Sequence, residues 1–151
     1  MAGISERLFS IDVADDGTVY VGTNKGVYMS NGTAVFTKMA GISERLFSID
    51  VADDGTVYVG TNKGVYMSNG TAVFTIMSNK SLNNQKINSV VVFKNTIYLT
   101  TISKVYKLTL PNTFTEISGI TDNISSNATL KGALYVGTSA TEFTGSVYKK
   151  N

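Results

Sequence analysis

A chain of 151 residues, 42% of them hydrophobic, fits one domain with a real core. Its formal charge of +2 is too small to draw nucleic acid or an anionic membrane by itself. It contains no cysteine, histidine or tryptophan, which excludes disulfides, thiol nucleophiles and imidazole catalysis, and no stretch nears the roughly 20 apolar residues of a membrane-spanning helix.

Taken in order, Leu8–Ala14 (LFSIDVA) is rich in β-branched and aromatic residues and too short for a helix, so it reads as a strand. Asp15-Asp16-Gly17 is a hairpin signal, because glycine takes positive φ at little cost and aspartate tolerates it. Thr18–Thr23 is the second strand, Asn24-Lys25-Gly26 the next turn, and Val27–Ser30 the third strand. Asn31-Gly32 turns the chain into a fourth strand, Ala34–Lys38. Met39–Arg45 then crosses to the next unit, and its first four residues are an alternative continuation of the fourth strand.

That next unit is the same text. Met39–Thr75 repeats Met1–Thr37 residue for residue, and the copies first differ at Lys38 against Ile76. The second half keeps the unit in eroded form. The anchor TVYVGT recurs as TIYLTT (Thr96–Thr101) and ALYVGT (Ala133–Thr138), and a serine precedes it each time, at Ser10, Ser48, Ser89 and Ser126. One tyrosine series is Tyr20, Tyr58, Tyr98 and Tyr135, and a second is Tyr28, Tyr66, Tyr106 and Tyr148. The predicted strands of the third unit are Ile87–Phe93, Thr96–Thr101, Lys104–Leu108 and Thr113–Ile117; those of the fourth are Ile124–Leu130, Ala133–Thr138 and Ser146–Lys150.

Four units therefore fill residues 1–151 as one domain, near 1–38, 39–76, 77–117 and 118–151. Each is a small antiparallel sheet with apolar residues on both faces, such as Val19 and Val21 against Tyr20, so each must be covered on both sides. Radial packing of four-stranded repeats solves this, and the expected fold is an all-β propeller with four blades. The fourth strand carries Phe36-Thr37, Phe74-Thr75 and Phe114-Thr115 in the first three units and has no counterpart in the last. The expectation is 15 strands, with Lys149 and Lys150 guarding the edge of a three-stranded last blade.

Candidate chemistry is thin. The paired carboxylates Asp15-Asp16 and Asp53-Asp54 fit hairpin turns better than metal ligands, since a calcium loop needs alternating oxygen ligands over about 12 residues. Asp12 and Asp50 fall on the innermost strands, where the third and fourth units have Val91 and Ala128, so no ring of four carboxylates forms. They are expected to bond nearby backbone N–H groups. The repeated serines lack a histidine to activate them and are expected to bond backbone between neighbouring blades. The tyrosines are expected to pack between blades. Gly22 reads as part of a turn with Gly26. No metal or cofactor is implied.

The pattern V-Y-V-G-T-x-x-G-V-Y after an Asp-Asp-Gly turn, at Val19–Tyr28 and Val57–Tyr66, resembles the repeat of regulator-type propellers attached to two-component signalling proteins. Sialidase-like and WD-type repeats fit worse, for want of tryptophan. Such a resemblance implies a fold and very little function. The duplication beside decayed copies reads either as a recent natural amplification or as an engineered copying of one blade.

The leading functional reading is a non-enzymatic binding or scaffold module. Propellers of this kind bind on the face built by the crossings and the second-to-third-strand turns. Here these supply Glu6, Arg7, Asn24 and Lys25, then Glu44, Arg45, Asn62 and Lys63, a set of charges and amides suited to a protein or glycan partner. The alternatives are a propeller hydrolase or lyase acting on glycans, disfavoured by 11 acids and no histidine, and a fold-test protein without a selected ligand. MAGISERLF lacks the charged and apolar regions of a signal peptide, which makes a cytoplasmic location the default expectation. Four blades are few for a closed ring, so the chain is expected to form a homodimer in which two copies share one eight-bladed ring; a single chain closed on itself is the alternative.

Overall fold

The computed structural model describes residues 3–77, 82, 84–93, 96–109, 113–120, 123–130, 133–139 and 145–150. The first unit holds β1 (Leu8–Val13), β2 (Val19–Thr23), β3 (Gly26–Ser30) and β4 (Thr37–Lys38). The second holds β5 (Leu46–Val51), β6 (Val57–Thr61), β7 (Gly64–Ser68) and β8 (Thr75–Ile76). The third holds β9 (Ser89–Phe93), β10 (Thr96–Thr100), β11 (Val105–Thr109) and β12 (Thr113–Ile117), and the fourth β13 (Asn123–Leu130), β14 (Ala133–Ser139) and β15 (Gly145–Lys150). Each unit is one antiparallel sheet in chain order, three of them four-stranded and the last three-stranded. No helix occurs among the described residues. The chain is thus an all-β propeller of four blades whose last blade has β15 at its edge, with Lys149 exposed there.

The turns form as their residues dictate. Asp16 Oδ1 accepts the Thr18 amide at 2.8 Å while Gly17 takes φ +84°, which closes the β1–β2 hairpin. Between β2 and β3, the Thr23 hydroxyl donates to the Gly26 carbonyl at 2.8 Å and accepts the Lys25 amide at 3.0 Å. The second copy repeats all of this at Asp54, Thr56, Thr61 and Lys63.

The fourth strand departs from expectation. It was expected over Ala34–Lys38 and covers only Thr37–Lys38, because Ser30 Oγ donates to the Thr33 carbonyl and bends the preceding segment away from β3. Met39 adds one more rung, its amide bonding the Val27 carbonyl at 2.9 Å. The chain then leaves the sheet, and Ala40 bridges to the next blade: its amide donates to Ala72 O and its carbonyl accepts Phe74 N, both at 2.9 Å.

The core lies in the seams. Tyr20 and Val27 of the first blade pack with Leu46, Ile49, Val57 and Val59 of the second. Tyr58 and Val65 of the second pack with Ile87, Val90, Ile97 and Leu99 of the third, and half-buried Tyr98 packs on Val105, Ile124 and Val136. The second-strand tyrosine of each of these blades therefore faces the blade that follows. Gly22 lies in the second strand, as the expected Thr18–Thr23 span has it, and does more than shape the turn with Gly26: a Cβ there would stand 3.0 Å from Leu46 Cδ2, so its smallness sets the distance between blades.

Candidate functional site

The innermost strands β1, β5, β9 and β13 pack in succession, β1 on β5, β5 on β9 and β9 on β13. Two polar positions on them stitch the blades together. Ser10 Oγ accepts the Ile49 amide at 3.1 Å, and Ser48 Oγ accepts the Val90 amide at 3.1 Å. Two residues on, Asp12 accepts the Val51 amide with Oδ2 at 2.7 Å and the Val13 amide with Oδ1 at 2.9 Å. Asp50 does the same for Val92. Ser10 and Ser48 thus bond backbone across the seams, as the sequence predicts, and Asp12 and Asp50, expected to bond nearby amides, reach into the next blade as well. Burial and the neighbouring Asp12 carboxylate push the Asp50 carboxyl up to about 6, against the opposing pull of the Val92 amide.

At the other end of β1 and β5 the ladder slips. Leu8 pairs with Thr23 but Ser10 pairs with Gly22, so Phe9 is an extra residue; Phe47 is the same between Leu46–Thr61 and Ser48–Gly60. Such a bulge re-aims the side chain it carries. Here it brings two half-buried rings together, centroids 6.3 Å apart. Cations alternate with them. The Arg7 guanidinium lies 5.2 Å from the Phe9 centroid, Arg45 lies 4.5 Å from Phe9 and 5.0 Å from Phe47, and Lys86 Nζ lies 4.3 Å from Phe47. Arg7, Arg45 and Lys86 occupy equivalent positions in three successive units and are all exposed. Among the described residues no carboxylate forms an ion pair with any of the three.

The eight residues singled out from sequence all lie on this face, in two sets of four. Asn24 clamps the crossing through Arg7: its Oδ1 accepts the Arg7 amide at 3.0 Å and its own amide donates to Arg7 O at 3.1 Å. The Asn62 amide likewise donates to Arg45 O at 3.2 Å. Glu6 is bonded by the Tyr28 hydroxyl, which holds its carboxyl below the usual range, and Glu44 meets Lys63 at 3.7 Å. The arrangement brings Arg7 and Arg45 onto one ring. It ties Glu6 and Glu44 to their own blades, and Lys25 and Lys63 sit in the exposed turns. Sequence reading missed Phe9, Phe47 and Lys86. The signal was the R-L-F-S string, in which a phenylalanine beside the buried Leu46 position breaks the two-residue alternation of a regular strand.

At the opposite end, Asp15, Asp16, Asp53 and Asp54 line a cleft of about 380 Å³ between the first two blades, with Tyr20 and Met29. Asp16 and Asp54 are held below the usual carboxylate range by the amides of Thr18 and Thr56. Among the described residues no group of three or more acidic, cysteine or histidine side chains is placed to hold a metal ion.

No protein-family model matches the chain, and no curated protein does. Solved structures do. The extracellular domain of the one component system BT4673 from B. thetaiotaomicron superposes with a TM-score of 0.71 at 19% identity, over 91% of this chain and 20% of that one. The computationally designed Ika4 protein gives 0.76 at 14% identity, over 97% and 92%. The selenomethionine-substituted virginiamycin B lyase from Staphylococcus aureus gives 0.72 at 13% identity, over 97% and 56%. This chain therefore spans only a fifth of the BT4673 chain and about half of the lyase. These neighbours are β-propeller proteins, and the likeness is one of fold. A sensor domain, a designed protein and an enzyme share it, so the fold by itself carries no activity.

Proposed function

We propose that the protein is a non-enzymatic binding module whose ligand is an acidic segment of a protein partner, held on the face of Arg7, Phe9, Arg45, Phe47 and Lys86. The observation that carries this reading is the alternation of three exposed cations with two rings. Rings fix the guanidinium planes while leaving N–H edges free to bond carboxylates in a forked geometry. Both rings already carry cations on their faces, which disfavours stacking of a neutral sugar and favours charge recognition. Asn24, Lys25, Asn62 and Lys63 form the polar rim. Asp12 and Asp50 engage backbone amides, which supports a structural role for the carboxylates nearest the axis over a general acid–base one.

The test is titration with poly-L-glutamate at low salt, beside polygalacturonate and neutral dextran. Poly-L-glutamate should bind, and Arg45→Gln should weaken it at least about tenfold. Added salt should weaken it further, and Lys107→Gln, at the exposed strand position equivalent to Met29 of the opposite-end cleft, should not. Absence of binding at low salt overturns the proposal. Tighter binding of polygalacturonate makes the ligand an anionic glycan instead.

A further inference from the structure

The two identical units are covered differently. Leu46 is fully buried and Ile49 is 5% exposed, whereas Leu8 and Ile11, the same residues one unit earlier, are 57% and 66% exposed. Val13 is 56% exposed and its copy Val51 is half-buried. What covers the second blade is the back of the first: Tyr20, Val27 and the bare Cα of Gly22. The first blade presents the same apolar face, and among the described residues nothing packs over it.

We propose that a second copy of this chain covers that face with its fourth blade, so that two chains complete one ring. The fourth blade carries the matching register. Ser126 pairs with Gly137 and Ala128 with Tyr135, as Ser10 pairs with Gly22 and Asp12 with Tyr20. It therefore places a serine, a tyrosine and a glycine at the register positions from which the first blade receives Leu46 and Ile49. The third blade has Thr100 in place of that glycine, a side chain that would obstruct the close approach. The chain's own fourth blade is seated on its third, through β13 on β9, and leaves Leu8, Ile11 and Val13 exposed. Two copies arranged head to tail satisfy both open faces by one rotation, which closes the assembly and leaves no apolar sheet in water.

Light scattering after size exclusion at micromolar concentration tests this, with Ile11→Glu as the variant. The unaltered chain should run at twice 16.2 kDa, and Ile11→Glu at 16.2 kDa with its β circular dichroism intact. The charge enters a side chain that is exposed within one chain, so folding should survive; Val13→Lys serves as the second variant. Hydrogen exchange on the unaltered protein adds an independent reading, with the amides of β1 gaining protection as concentration rises. A single-chain mass throughout the range overturns the proposal. So does a dimer that persists in both variants, or a mass that grows beyond two chains.

Discussion

The hydroxyl of Ser48 answers both polar groups of Val90 on the next blade, donating to its carbonyl at 3.3 Å and accepting its amide at 3.1 Å. One small side chain thus satisfies a backbone unit that lies outside its own sheet. Ser48→Ala should leave that amide without its partner and cost about 1–3 kcal/mol. Urea unfolding checks this, and Ser48→Thr, which restores a hydroxyl, should recover part of the loss.

Gly60 should resist even one added carbon. A Cβ there would stand 2.9 Å from Ile87 Cγ2 and 3.1 Å from the Ile87 carbonyl, and Ile87, whose amide is tied to the Thr61 carbonyl at 2.8 Å, has little room to give. Gly60→Ala should therefore destabilise the fold by about 1–3 kcal/mol, as overpacking does in other cores. Gly17→Ala is a different test of the same residue type: nothing lies within 4 Å, but φ is +84°, so its cost is conformational alone. Thermal melts of the two variants compare contact with strain.

Thr100 sits where Gly22 and Gly60 sit in the first two units, and its buried Oγ1 has no hydrogen-bond partner among the described residues. Thr100→Val keeps the shape and removes the unsatisfied hydroxyl. It should raise stability by up to about 1–3 kcal/mol, measured by denaturant midpoint at constant slope.

Asp50 supplies a pH signature. Its carboxyl is raised to about 6, so the folded state holds this proton more tightly than the unfolded chain does. The stability contributed by that proton is complete below the ordinary aspartate range of about 3.9 and is lost as pH rises through about 6. Asp50→Asn removes the charge while retaining an oxygen for the Val92 amide. It should stabilise the protein at pH 8 and have much less effect near pH 4, in paired melts at the two pH values.

Much of this was readable in the chain. The duplicated text and its two eroded copies placed fifteen strands in four sheets, because hairpin turns such as Asp15-Asp16-Gly17 bound each apolar run on both sides. The inner Ser and Asp positions were legible too, since a short polar group inside an apolar strand needs a backbone partner. Three features were not. The fourth strand shrank to Thr37–Lys38 because a serine-to-carbonyl bond bends the segment before it, a competition that alternation does not report. The packing role of Gly22 was hidden because its partner, Leu46, lies in another blade. Phe9 and Phe47 were passed over because a bulge decides where they point, and a bulge is a property of two strands together.

The bonds that run from Ser10 and Asp12 into the second blade are written again from Ser48 and Asp50 into the third. Each seam needs its own neighbours and nothing farther along the chain. A recombination event that inserts or deletes one whole 38-residue copy would then create no unfamiliar junction, since Lys38-to-Met39 chemistry and the seam contacts travel together. Length could vary between generations by whole blades, each bringing its own seam bonds, and a near-perfect tandem beside older, diverged units is the trace such a history would leave.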